Sequence, residues 1–243
     1  MDFDGEEILK VLFSLADEEY RDFQSTLVPN KSGVVGSLVP GDKGIIGVRM
    51  PRLRALAKEI AKSDYWEDFL KSGGHGLYEE DMLKGLVIGL AKCPEQQRLE
   101  YVKSFVPTID NWAVCDCFTG SLKSYKKQPE LIEDYVNSCL FSDSEFTVRF
   151  AACMLMDYFI NDEYIDSTLE KLSSITHDGY YVKMGVAWAL SVCFVKYRDK
   201  TLELFSDCRL NPWTQNKAIQ KCRESYRVSL DDKELLLKYK LKS

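Results

Sequence analysis

Apolar residues recur at helical spacing along almost all of this 243-residue chain. Ile8, Val11, Leu12 and Leu15 fall on one helical face, as do Leu53, Leu56, Ala57 and Ile60, and Leu83, Leu86, Val87 and Leu90. The two-residue alternation of half-buried strands is scarce. A chain patterned this way buries helix faces against other helices, so the fold class is all-α. Acceptors or prolines mark the starts: Ser63-Asp64, Pro94, Pro129 and Asn211-Pro212. About a dozen helices or slightly more result, joined by short connections.

A weak repeat orders the second half. Helices open near Asp110, Ser144, Gly179 and Trp213, each preceded by a more polar helix. A helix pair recurring every 35 to 45 residues or so is the pattern of an α-solenoid. The reading is therefore one α-solenoid domain over 1–243: an N-terminal helical pair (1–28), a loop (29–47) and the repeats (48–243). The loop, PNKSGVVGSLVPGDKGIIG, contains Gly36, Gly41, Asp42 and Lys43, which resemble a phosphate loop superficially. The match fails, because Asp42 interrupts the spacing, Gly44 follows the lysine and no strand precedes it. No bound nucleotide is expected.

Composition excludes several classes. The acidic start MDFDGEEILK lacks the basic stretch and apolar core of a secretory signal. The longest apolar run, near Gly85 to Leu90, is too short to cross a bilayer. A cytoplasmic protein without membrane contact is expected. The eight cysteines lie scattered in apolar helical segments with no C-x-x-C pair, so they read as small buried hydrophobes. His75 and His177, the two histidines, sit in loop-like segments. Neither a zinc site nor a Ser-His or Cys-His nucleophile has supporting spacing. No metal and no cofactor is expected. The net charge of −6 argues against wrapping nucleic acid over the whole surface, but not against a basic groove on an acidic body.

Four residues in three helical segments stand out: Trp112 and Asp116 in IDNWAVCDCF, Arg149 in EFTVRFAAC and Trp188 in YYVKMGVAWALS. Steps of 37 residues (112 to 149) and 39 residues (149 to 188) put them at matching places in successive repeats. Trp112 and Asp116, four apart, share a helix face. Asp110 reads as the cap of that helix. Asp116 lies a turn further in among apolar neighbours, where a carboxylate faces solvent or serves a purpose. Both tryptophans could instead be core residues, and Asp143 or Asp157 could pair with Arg149. Two indoles, a carboxylate and a guanidinium suit a cationic, sugar-bearing substrate. Basic residues cluster elsewhere: Lys183 before Trp188, then Lys217, Lys221, Arg223 and Arg227 as four-apart pairs, and Arg49, Arg52, Arg54 and Lys58 in VRMPRLRALAKEI. They are candidate DNA contacts, with a solvated face as the alternative.

With those residues in hand, the chain resembles the AlkD-like DNA alkylation repair proteins, HEAT-repeat DNA glycosylases. The resemblance runs from about Gly47 to Arg227. It is carried by GVRMPRLRALAKEI, YEEDMLKGLVIGLAK, IDNWAVCD, FTVRFAA, YVKMGVAWALS and NKAIQK. It implies HEAT-like helical pairs forming a concave basic groove. It also implies removal of N3- or N7-alkylated purines from duplex DNA, leaving an abasic site. Trp112, Trp188 and Asp116 would line the cleft, Arg149 would hold a flanking phosphate, and no cofactor would be needed. The partner would be double-stranded DNA bearing alkylated purines, and the protein a monomer. Where the family often has an arginine three residues after the second tryptophan, this chain has Ser191, which removes a backbone contact. Two other readings stand beside this one: a non-catalytic HEAT module that binds damaged or branched DNA, and a HEAT scaffold that binds protein.

Overall fold

A computed structural model describes residues 5–26, 44–72 and 74–242. The phosphate-loop lookalike at Gly36, Gly41, Asp42 and Lys43 lies outside the described residues. Among those described there are 14 α-helices and no strand, apart from one isolated bridge between Gly44 and Leu77. The chain divides into two compact units, Met1–Ser124 and Tyr125–Ser243.

The first unit contains α1 (Gly5–Ser14), α2 (Glu18–Thr26), α3 (Met50–Ile60), α4 (Trp66–Lys71), α5 (Tyr78–Leu90), α6 (Glu95–Phe105) and α7 (Trp112–Ser121). Alternate helices form a row, α3 on α5 and α5 on α7, with α4 and α6 against α5. Of the residues that the apolar spacing selects, Leu53, Leu56, Ala57 and Ile60 on α3 and Leu83, Leu86 and Val87 on α5 are buried, whereas Leu90, the last residue of α5, is exposed. Full burial of each such aliphatic side chain contributes about 1.5–3 kcal/mol. Glycine spacing tightens the row. Gly85 faces Phe105 and Phe118, and a Cβ on Gly89 would stand 2.1 Å from Ser121 Oγ and 2.7 Å from its carbonyl. The backbones of α5 and α7 meet there because position 89 has no side chain.

The segment entering α3 is fixed by a buried carboxylate. Glu79, fully buried on α5, accepts the Gly47 N–H at 2.7 Å, the Ile46 N–H at 3.0 Å and the Val48 N–H at 3.3 Å. Those amides precede a helix and have no helical acceptor, so Glu79 supplies what secondary structure does not. Gly47 has φ of 90°, and a Cβ there would lie 2.6 Å from the Asp17 carbonyl oxygen. That crowding and that dihedral both require glycine.

The second unit contains α8 (Glu130–Cys139), α9 (Glu145–Tyr158), α10 (Ile165–Ser174), α11 (Tyr180–Lys196), α12 (Arg198–Ser206), α13 (Pro212–Glu224) and α14 (Leu230–Leu235). Again alternate helices form the row, α9 on α11 and α11 on α13. Companions flank it, α8 on α9, α10 on α9 and α11, and α12 on α11. This is the helical-repeat architecture that the recurring pairs predict. α9, at the start of the row, is buried almost all round from Val148 to Met156.

Five cysteines, Cys115, Cys139, Cys153, Cys193 and Cys222, are buried. Burial pushes the thiols of Cys193 and Cys222 up to about 12. They behave as small apolar side chains. No helix among the described residues is long and apolar enough to cross a membrane.

Candidate functional site

In the first unit the site begins with the capping of α7. The sequence assigns the cap to Asp110, but the structure gives it to Asn111. Asn111 is fully buried, and its side-chain oxygen accepts the Val114 N–H at 2.9 Å. Its amide nitrogen donates to Asp110 Oδ1 at 2.9 Å, so Asp110 braces the cap and does not form it. Two residues of near-equal capping preference stand side by side here, and Asn111, whose backbone is extended, is the one that caps.

From that start α7 buries Ala113, Val114, Cys115, Phe118 and Thr119, and leaves Trp112, Asp116 and Cys117 half-buried. Asp116 and Cys117 open onto a cavity of about 350 Å³. Arg54 and Lys58 of α3 line it, with Leu86 and Leu90 of α5, Gly120 and Ser121 of α7, and Lys123 just beyond. Three cations thus surround one carboxylate over an apolar floor. Burial raises the Cys117 thiol; the Arg54 guanidinium opposes that shift and the Asp116 carboxylate adds to it. An anionic ligand would meet favourable charge here, while a positive centre would find Asp116 alone.

Arg54 and Lys58 were visible in sequence only as a basic helix. Lys123 and Cys117 were not singled out. Helical spacing gives no signal for Lys123, because α7 ends at Ser121 and Lys123 opens the short turn that follows.

In the second unit Arg149 and Trp188 lie on neighbouring helices of the row. Arg149 keeps 5% of its surface, and its Nη1 donates to the Tyr181 carbonyl at 2.7 Å. Its side chain runs across Gly185 of α11, whose missing Cβ would lie 3.4 Å from Arg149 Cγ. Glu145 of α9 accepts the Tyr181 N–H at 2.6 Å, and Phe146 packs on the Tyr181 ring. The first turn of α11 is therefore held from α9 by Glu145, Phe146 and Arg149 together. The Tyr181 carbonyl is one acceptor for the buried Arg149 guanidinium. Trp188, one turn past Gly185, is 37% exposed, so its ring is not a core residue. Ser191 turns its hydroxyl back onto the Trp188 carbonyl at 2.7 Å.

The candidate DNA contacts separate into two groups. Lys183 and Lys217 both stand over the Trp213 ring, each 5.6 Å from its centroid. Arg223 lines a cavity with Lys217 and Trp213. Lys221 is half-buried on the same helix. Arg227 is different. α13 ends at Glu224, so Arg227 lies beyond the helix and forms no four-apart helical pair with Arg223.

The sequence model of the family described as "DNA alkylation repair enzyme" matches residues 11–221. No curated protein matches the chain. The family match spans every helix that carries Trp112, Asp116, Arg149 and Trp188, and the repeated helical pairs on which those side chains sit agree with it. The chain belongs to the DNA alkylation repair enzymes.

Proposed function

We propose that this protein is a DNA glycosylase that excises N3- or N7-alkylated purines from duplex DNA and leaves an abasic site. One observation carries the reading: in a chain of this family, Asp116 is the lone carboxylate of a cavity whose other charges are Arg54, Lys58 and Lys123. The cations favour phosphates, and the carboxylate favours the positive centre that phosphates flank.

Alkylation at N7 or N3 makes the purine cationic and weakens its bond to the sugar. As that bond breaks, its electron pair leaves with the base, which departs neutral, and positive charge builds on the deoxyribose. Asp116 stabilises that charge and orients the water that adds to the sugar carbon. An indole face favours the cationic form of a sugar, which is the role proposed for Trp112 and, in the second unit, for Trp188. Arg149, buried as it is, acts as a positioning residue that orders the start of the helix carrying Trp188, and not as a phosphate contact. No step calls for a cofactor.

The test is incubation of the purified protein with methylated duplex DNA and chromatographic measurement of freed 7-methylguanine. Wild type releases the base, and Asp116→Asn folds and binds DNA but releases it about 10²–10³-fold more slowly, the cost of removing one preorganised electrostatic group. Equal rates for the two proteins would remove Asp116 from the chemistry. DNA bound without any release would favour the non-catalytic module.

A further inference from the structure

The end of the chain folds back onto α13. After α14 a short turn, Leu236–Tyr239, buries Leu236 completely. Gln215 Nε2 donates to the Tyr239 carbonyl at 2.8 Å and to the Phe205 carbonyl at 3.0 Å. Asn216 makes a reciprocal pair with Leu241: its Nδ2 donates to the Leu241 carbonyl at 2.9 Å, and its Oδ1 accepts the Leu241 N–H at 3.0 Å. Two adjacent side chains of α13 therefore grip the backbone on either side of Lys240. Nothing in the packing of a helical repeat requires this, and both Arg223 and Lys240 lie beyond the family match that ends at residue 221.

The grip places Lys240 at a cavity of about 320 Å³ lined by Trp213, Asn216, Lys217, Gln220 and Arg223. It holds three cations and no carboxylate. Lys217 is set over the Trp213 ring and donates to Gln220. Arg223 donates its Nε to the Lys233 carbonyl at 3.1 Å, which leaves both of its Nη groups for another acceptor. Among the described residues, none of Lys217, Arg223 and Lys240 forms an ion pair. Elsewhere in the same unit, Lys171, Arg198 and Lys200 are all matched with carboxylates. Three converging cations without a counter-charge, two of them positioned by an aromatic face and by backbone, form a receptor for a tetrahedral oxyanion.

We propose that this cavity binds a backbone phosphate of DNA, and that the C-terminal tail completes it by delivering Lys240. The proposal rests on DNA being the substrate and adds a contact away from Asp116. The experiment is fluorescence anisotropy of a labelled duplex across a fourfold range of salt, from 50 to 200 mM or so, with base release measured separately. One phosphate contact contributes about 0.9 to the slope of log affinity against log salt. Lys240→Gln is expected to lower the slope by about one, so that the fourfold salt increase costs the variant about 3.5-fold less affinity than wild type. Asn216→Ala, which frees the tail, is expected to give the same reduction, and the double variant no more than either alone. Lys200→Gln, which removes an exposed lysine already paired with Asp166, is expected to leave the slope in place. An unchanged slope in Lys240→Gln, or an equal drop in Lys200→Gln, would overturn the pocket. Base release by wild type together with an unchanged Lys240→Gln slope removes the pocket and leaves the glycosylase. A lowered slope without base release leaves the pocket and removes the glycosylase.

Discussion

The carboxylate of Asp116 and the ring of Trp188 differ in how a substitution reads out. Trp188 is 37% exposed, so most of its ring is still covered and Trp188→Ala lowers stability as well as touching the site. If its face stabilises a sugar cation by about 1–2 kcal/mol, single-turnover base release, measured well below the variant's melting temperature, slows roughly 5–30-fold. Unchanged kinetics would return the ring to a packing role. The buried thiols give a prediction in pH. Cys193 and Cys222 titrate near 9.0 in the unfolded chain and about 12 when folded. A raised folded value means that stability is intact below pH 9 and falls as pH climbs toward 12, because only the unfolded chain sheds those protons. Urea titrations at pH 8, 9 and 10 should show that fall, and Cys193→Ala with Cys222→Ala should flatten it. Single residues were only partly legible in sequence. Asp116 stands out in sequence because a carboxylate among apolar neighbours is conspicuous. The Tyr181 carbonyl that accepts from Arg149 was hidden, because it arrives from 32 positions away in sequence.

Helices were the most legible objects in the chain. The openings near Ser144 and Gly179 are the N-caps of α9 and α11, and Asn211 caps α13 one residue before its proline. Periodicity and capping chemistry act within a few residues, so the sequence displays them directly. What it does not display is how closely two helices approach. Gly85 and Gly89 read as an apolar run, yet they set the contact of α5 with α7 and thereby the seat of Asp116. Gly89→Ala forces a Cβ against the Ser121 backbone as well as its hydroxyl. It should destabilise the protein by about 1–3 kcal/mol, the usual cost of overpacking, measured by urea denaturation. Base release should fall further than stability alone predicts, since α7 must shift. Activity that tracks stability would mean α7 tolerates the displacement.

For the molecule as a whole, the total charge of −6 says less than where the charges stand. Each unit contributes one cavity with three cations, Arg54, Lys58 and Lys123 in the first and Lys217, Arg223 and Lys240 in the second. Many acidic groups are occupied in ion pairs or, like Glu79, in buried amide contacts. DNA binding is therefore expected to weaken steeply with salt despite the acidic total, at about 0.9 in log–log slope per phosphate engaged. A slope near zero in the same anisotropy assay would favour the protein-binding scaffold. The sequence could announce the helical repeat and the basic segments. It could not announce that the last residues return to α13, because no periodicity or motif encodes a tail held by two amide side chains.

The three amides gathered by Glu79 have a dynamic consequence. Ile46, Gly47 and Val48 lie in no helix or strand, and such backbone normally trades its protons with water in seconds. Here the trade must wait until a sealed carboxylate lets go, an event that opens α5 itself. In deuterium, these irregular residues should hold their protons as long as the middle turns of that helix do.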